Sequence, residues 1–360
     1  MLTPPAPAPD PGGAFTVIDV GGTWLRWARW APHGGLGEVR RAPSPGHTRL
    51  PEAGVGELQA GLIRELALRV PPHGRAGVSL GAAMDHRNST AYASAPLWGP
   101  DIRPFNVAAA LRAARPDVRW SVVNDVTAGL WHVAESVRGR HLRKVSLATI
   151  STGIACRTMD LRTGHVPVDG AGLQGEIGHL PATVLIDGVP VESRCDCGEP
   201  GHVAAFSSGP GIQRVAAEMA RRHPAAWAAS ALAARPAGGD GFEPVFRAAL
   251  DGGDAMAARL LDAVTGPVAD VLRTALCLDP EIDMMALTGG VVQGLGPHYE
   301  AALYGHLGRQ GLYLTGEQDP GWLLGRIEVI GPDTADPLVG AGLAALAAER
   351  GTACAGQVRP

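Results

Sequence analysis

The sequence predicts an α/β protein built from two related halves, and three observations carry that prediction. Short apolar runs of strand length alternate with amphipathic stretches of helical spacing along most of the 360 residues. A strand, a turn of small residues and a second strand occur twice, around Gly21-Gly22-Thr23 and around Ser151-Thr152-Gly153. Polar residues stand where strands run out, and open α/β sheets carry their chemistry at those ends.

Composition sets the bounds. A chain of 360 residues can hold two modest cores. With 46% hydrophobic and 18% charged residues it reads as soluble and globular. A net charge of −4 leaves no basic footprint, so no nucleic-acid partner is expected. There is no run of 18 apolar residues, so no membrane partner is expected either. Residues 1–13, MLTPPAPAPDPGG, have neither a basic start nor an apolar centre and are expected to be a disordered tail, not a signal peptide. Cys156, Cys277 and Cys354 show no pairing pattern, which suits a reducing cytoplasm.

The first element is FTVIDV over 15–20, a strand ending at Gly21-Gly22-Thr23. The aromatic-rich stretch after it reads as a second strand, which sets the turn apart from a dinucleotide-binding glycine turn that opens a helix. Such a hairpin brings backbone N–H groups and the Thr23 hydroxyl around a phosphate, with Asp19 near a metal ion; an ordinary hairpin turn is the other reading. Leu58–Leu68 has helical spacing, Ala76–Ala83 is a buried strand, and residues 84–106 form a long irregular excursion. A helix over Val107–Ala114 is closed by Pro116, a strand over Val118–Val123 ends at Asn124-Asp125, and a helix follows to Ser136. Asp125 is the candidate base; alternatively Asn124 or Asp125 only caps the helix.

Lys144–Ile150 and Ile154–Leu161 are strands around the second small-residue turn. This duplicated hairpin in two half-domains is the layout of the actin-like (ribonuclease H-like) ATPase fold, with nucleotide in the cleft between them. The expected division is a domain over 14–125 completed by a C-terminal helix near 337–350, and a larger domain over 126–336. Gly211–Arg222 is a helix, and Asp283–Leu287 is a strand leading into Thr288-Gly289-Gly290, where a bare backbone would let adenosine approach. Leu323–Ile330 is a last strand.

The stretch GEIGHLPATVLIDGVPVESRCDCGEPGHVAAFSSG over 175–209 carries the densest chemistry. Glu176 and His179, three apart, share a face if helical. His179, Cys195, Cys197 and His202 supply two imidazoles and two thiolates, a closed tetrahedral set for a structural zinc. Two core cysteines and two surface histidines are the alternative.

Together DVGGT at 19–23, VVNDVTAG at 122–129, ISTGI at 150–154, GEIGH at 175–179, CDCGEPGH at 195–202 and LDPEIDMMALTGGVV at 278–292 resemble the ROK family of repressors, open reading frames and sugar kinases, in the family's order. The resemblance implies an ATP- and Mg²⁺-dependent kinase. Asp19, Gly21, Gly22 and Thr23 would hold phosphates with Thr152 and Gly153, and Gly289 and Gly290 would line the adenosine. Asn124, Glu176 and His179 would meet substrate hydroxyls, Asp125 would accept the proton, and zinc would sit on the four ligands above. It also implies a homodimer.

Departures from the family pattern bear on the substrate. His202 stands where the family's zinc loop ends in a cysteine, Ala204 where a glutamate binds hexose hydroxyls, and Ala95-Pro96-Leu97-Trp98-Gly99 where an asparagine precedes Leu-Gly. Ser151 and Thr288 are smaller changes. Unmatched polar groups cost about 1–3 kcal/mol each, so the pattern favours a sugar-like polyol with a primary hydroxyl, such as a valiolone- or valienone-type C7 cyclitol, over an aldohexose. A hexose kinase is the alternative, and a non-catalytic sugar-binding regulator the alternative of another kind.

Overall fold

The strand Phe15–Val20 (β1) alternates its side chains between two cores. Ile18 and Val20 join one buried cluster, while Phe15 and Val17 join another. The computed structural model describes residues 13–85, 87–100, 103–168, 174–234 and 241–351. The expected disordered tail lies outside the described residues, apart from Gly13, as does Cys354.

The chain forms two compact units, the first comprising residues 1–139, 159–174 and 333–360. In it, β1 pairs antiparallel with Trp24–Ala31 (β2), which is flanked by Gly35–Leu36 (β3) and Arg40–Pro43 (β4). On its other side β1 runs parallel to Arg75–Leu80 (β5), after the helix Val55–Arg69 (α1). A small antiparallel sheet of Ala83–Asp85 (β6), Thr90–Ala93 (β7) and Phe105–Asn106 (β8), with the one-turn helix Ala95–Trp98 (α2), occupies the stretch expected to be irregular. Its strands are too short for periodicity to reveal. Val107–Ala114 (α3) then leads to Arg119–Asn124 (β9), parallel to β5, and to Asp125–Ser136 (α4). That helix groups with the first unit, whereas the expected division placed it in the second domain.

The second unit covers residues 140–158 and 175–332. Lys144–Ile150 (β10) pairs with Ile154–Asp160 (β11), and the sheet order continues through Ile282–Thr288 to Ile327–Val329. Between these strands come, among the described residues, the ribbon Leu185–Ile186 (β12) and Val189–Pro190 (β13) and the helices Val203–Ser207 (α5), Gly209–Arg222 (α6), Pro224–Ala228 (α7), Phe242–Asp251 (α8) and Ala255–Leu278 (α9). The strands Ile282–Thr288 (β14) and Ile327–Val329 (β15) frame Gly290–Leu295 (α10), Pro297–Gln310 (α11) and Thr315–Gln318 (α12). The expected strand over 323–330 is shorter than its apolar pattern, because Leu324–Arg326 forms a 3₁₀ turn first.

Pro337–Glu349 (α13) returns to the first unit and packs on α4, β1, β5 and β9. Glycines permit that approach. A Cβ on Gly340 would lie 1.6 Å from the Ala128 carbonyl oxygen, and one on Gly77 2.3 Å from that of Ala341. No described helix is long and apolar enough to cross a membrane.

Candidate active site

Sheet register builds the surroundings of Asp19. Across the antiparallel pair it faces Arg26, and across the parallel pair it faces Ser79. Arg26 donates to Asp19 Oδ2 from Nε at 3.1 Å and Nη2 at 2.8 Å, and Ser79 Oγ donates to Oδ1 at 2.8 Å. Arg26 Nη2 also reaches Asp336 Oδ1 at 3.2 Å. The Arg26 pKa is raised: burial opposes the charge, and the two carboxylates outweigh it. In the following turn, Gly21 N–H donates to the Trp24 carbonyl at 3.0 Å. A Cβ on Gly22 would lie 2.3 Å from Pro96 Cβ, so only glycine lets the turn pass. Thr23 is exposed.

At the end of β9, Asn124 caps α4. Its Oδ1 accepts from the N–H groups of Val126 at 3.0 Å and Thr127 at 3.2 Å, satisfying two otherwise orphaned donors. Its Nδ2 donates to the Ala82 carbonyl and to Asp125 Oδ1, both at 2.9 Å. Both ends of this buried amide are therefore engaged within the chain. Asp125, the first residue of the helix, also receives the Val126 N–H on Oδ1 at 2.9 Å. A Cβ on Gly81 would sit 3.6 Å from its Oδ2. The helix N-terminus favours the ionised carboxylate.

In the second unit, the Ser151–Gly153 turn is closed by Ser151 N–H donating to the Gly153 carbonyl at 2.9 Å, with Thr152 and Gly153 exposed. It adjoins Gly289 and Gly290. Gly289 has φ +110°, and a Cβ there would lie 2.4 Å from the Ile150 carbonyl oxygen; one on Gly290 would lie 3.3 Å from Ser151 Oγ. The two loops expected to meet phosphate and adenosine are thus neighbours at adjacent strand ends.

Glu176 and His179 do not share an α-helical face. Glu176 precedes a single 3₁₀ turn, Ile177–His179, and the left-handed φ of +87° at Gly175 keeps regular helix from starting earlier. Glu176 Oε1 accepts from Arg157 Nη2 at 3.2 Å. His179, Cys195, Cys197 and His202 converge, with their ligand atoms all within 4.8 Å of one another. His179 Nδ1 stands 3.9 Å from Cys195 Sγ, and His202 Nδ1 3.4 Å from Cys197 Sγ. A tetrahedral zinc with ordinary bond lengths would set such sulfur–nitrogen edges at about 3.6 Å. The donor set fits that ion. Ala204 lies at 8% exposure on α5.

Arg26, Ser79 and Arg157 are the polar residues here that sequence reasoning passed over. Arg157 is the lone arginine of β11, whereas β2 carries both Arg26 and Arg29, and neither pattern tells what its arginine meets.

Two half-domains of this topology, glycine-bent loops at strand ends and a Cys/His cluster define the class: residues 17–296 match the ROK family, and the chain belongs to it. Its fold is that of the actin-like ROK proteins. The chain is 72% identical over 338 residues, 94% of each chain, to the 2-epi-5-epi-valiolone 7-kinase of Actinoplanes sp. (strain ATCC 31044 / CBS 674.73 / SE50/110). It is 30% identical over 314 residues, 83% of this chain and 85% of the other, to the C(7)-cyclitol 7-kinase of Streptomyces hygroscopicus subsp. jinggangensis. The crystal structure of a ROK hexokinase from Thermus thermophilus superposes with a TM-score of 0.66 at 21% identity, covering 94% of this chain and 99% of that one.

Proposed function

We propose that this protein transfers the γ-phosphoryl group of ATP to the primary 7-hydroxyl of a C7 cyclitol of the 2-epi-5-epi-valiolone type. The observation that carries the proposal is the 72% identity to a kinase of that substrate over 94% of both chains. Asp125 is the general base: its carboxylate accepts the hydroxyl proton as the new oxygen–phosphorus bond forms and the bond to the leaving ADP oxygen breaks. Asn124 serves this step by fixing Asp125, because its amide has its capacity engaged at Ala82, Asp125 and the helix N-terminus. A direct contact from Asn124 to a substrate hydroxyl requires one of those bonds to exchange.

Asp19, Gly21, Gly22 and Thr23, with Thr152 and Gly153, hold the phosphates of Mg-ATP, and Gly289 and Gly290 line the adenosine. Glu176 and His179 meet cyclitol hydroxyls. His179, Cys195, Cys197 and His202 hold a structural zinc, which supplies a rigid closure for the loop behind Glu176 and no step of the reaction. Ala204 offers no carboxylate to a hexose hydroxyl, which favours the cyclitol over glucose. The protein acts in the cytoplasm as a homodimer.

The test is ADP release with Mg-ATP against 2-epi-5-epi-valiolone, glucose, mannose, fructose and N-acetylmannosamine. The cyclitol turns over and glucose does not, and Asp125→Asn lowers kcat by roughly 10²–10⁴. Turnover of glucose alone would overturn the cyclitol assignment. Inactivity toward every acceptor would overturn the kinase reading.

A further inference from the structure

One charged side chain is buried with no role yet assigned to it. Arg157 lies inward on β11 with its side chain 1% exposed, and its only ion-pair partner among the described residues is Glu176. Nη2 donates to Glu176 Oε1 at 3.2 Å and Nη1 to the Cys156 carbonyl at 3.0 Å. Nε is buried with no hydrogen-bond partner among the described residues. Keeping an incompletely satisfied guanidinium in an apolar core is costly, and the local backbone is built to keep it there.

The turn that carries Glu176 is pressed onto β11 at both ends. Cys156 N–H donates to the Gly175 carbonyl at 2.7 Å. A Cβ on Gly175 would lie 1.7 Å from the Cys156 carbonyl oxygen and 2.6 Å from Arg157 Nη1, while one on Gly178 would lie 2.5 Å from the Ile154 carbonyl oxygen. Two glycines thus hold Glu176 above the guanidinium. Glu176 itself remains 29% exposed, so the pair has one dry end and one end open to a ligand.

We propose that Arg157 is the positioning residue for Glu176, binding one carboxylate oxygen from beneath so that the other faces the acceptor hydroxyl in a fixed direction. This inference rests on the reading of Glu176 as a substrate ligand. Arg157 touches neither substrate nor ATP; it acts through Glu176, sets how many hydroxyls that carboxylate can receive, and so belongs to acceptor specificity. A planar guanidinium suits the role better than an ammonium, because its donors hold a fixed relative geometry.

The experiment is a double-mutant cycle with 2-epi-5-epi-valiolone as the acceptor. The wild type, Arg157→Met, Arg157→Lys, Glu176→Gln and the Met/Gln double variant are assayed for kcat and, separately, for the cyclitol KM and the ATP KM. Methionine fills the volume without charge, so the double variant leaves no buried ion unpaired. Arg157→Met raises the cyclitol KM by about tenfold or more, the size of one charge-assisted hydrogen bond. It leaves the ATP KM within about twofold, and Arg157→Lys recovers part of the loss. Added to Glu176→Gln, the methionine changes the cyclitol KM by less than about twofold, the non-additivity expected of two residues acting as one unit.

Additive effects of the two substitutions would overturn the proposal, as would an unchanged cyclitol KM in Arg157→Met. The wild type separates this from the broader reading. If it phosphorylates glucose and not the cyclitol, only the substrate assignment fails, and the same cycle is read on glucose. If it phosphorylates nothing, both fall together.

Discussion

Arg26 holds two carboxylates that would otherwise repel each other. Asp19 and Asp336 both bond to it, with side chains 15% and 22% exposed against 35% for Arg26. Arg26→Met should cost about 1–2 kcal/mol, less than the 3–5 kcal/mol of a fully buried broken pair because solvent screens this one. A fall in the urea midpoint measures it, and with Asp19 in its proposed role beside Mg-ATP the KM for Mg-ATP rises as well. The position of Asp125 at the junction of a strand and a helix was legible in the sequence. That Asn124 both caps the helix and orients Asp125 was not, because each half of that amide finds a partner the sequence presents as an alternative. Arg26 and Arg157 were hidden for another reason: strand register and a left-handed glycine bring their partners, and neither shows in a one-dimensional pattern.

At the scale of elements, the Cys/His loop and the closing helix make opposite demands on the chain. The loop has little apolar surface of its own, with Cys197 exposed, so an ion is what would hold it. Wild-type protein should carry about one zinc per chain. Cys197→Ser should lose most of it by elemental analysis and become more quickly cleaved by protease between 195 and 202. The cysteine and histidine spacing made this cluster legible. The 3₁₀ turn before it was not, since Glu-x-x-His fits either helix type and the left-handed Gly175 decides between them. The helix α13 depends on absent atoms instead. Gly340→Ala would place a methyl 1.6 Å from the Ala128 carbonyl oxygen, so the helix must shift. The expected loss is about 1–3 kcal/mol or more, read as a lower denaturation midpoint. The small sheet of β6, β7 and β8 escaped sequence reading because two- to four-residue strands have no measurable period.

Across the whole molecule, stability should depend on a histidine outside the proposed chemistry. His132 Nδ1 accepts the Asp336 N–H at 3.0 Å, a bond that needs the ring nitrogen unprotonated. Burial holds the His132 pKa below its ordinary 6.5, against the opposing pull of Asp336, Glu135 and Asp333. The unfolded chain therefore binds the proton first. The contribution is fully present above about pH 6.5 and is lost as pH falls from there through the folded value. Urea midpoints taken at about pH 7.5 and about pH 5 should differ more for wild type than for His132→Asn, and equal differences would rule the histidine out.

The two-part layout and the order of the loops were legible because strand–turn–strand patterns are local. The membership of the first unit was legible only in part: the closing helix was expected there, whereas α4, some two hundred residues before it, was not. That separation has a consequence for how the protein is made. A ribosome adding 5–20 residues per second needs roughly 10–40 s to synthesise the intervening unit. During that interval β1, β5 and β9 have their strand partners but lack the helix that covers their second face. The nascent first half therefore waits with Phe15, Val17 and Trp30 uncovered, the residues that later meet Leu338 and Ala345. Birth order makes this the stage at which a chaperone, or a premature stop codon, would be felt most.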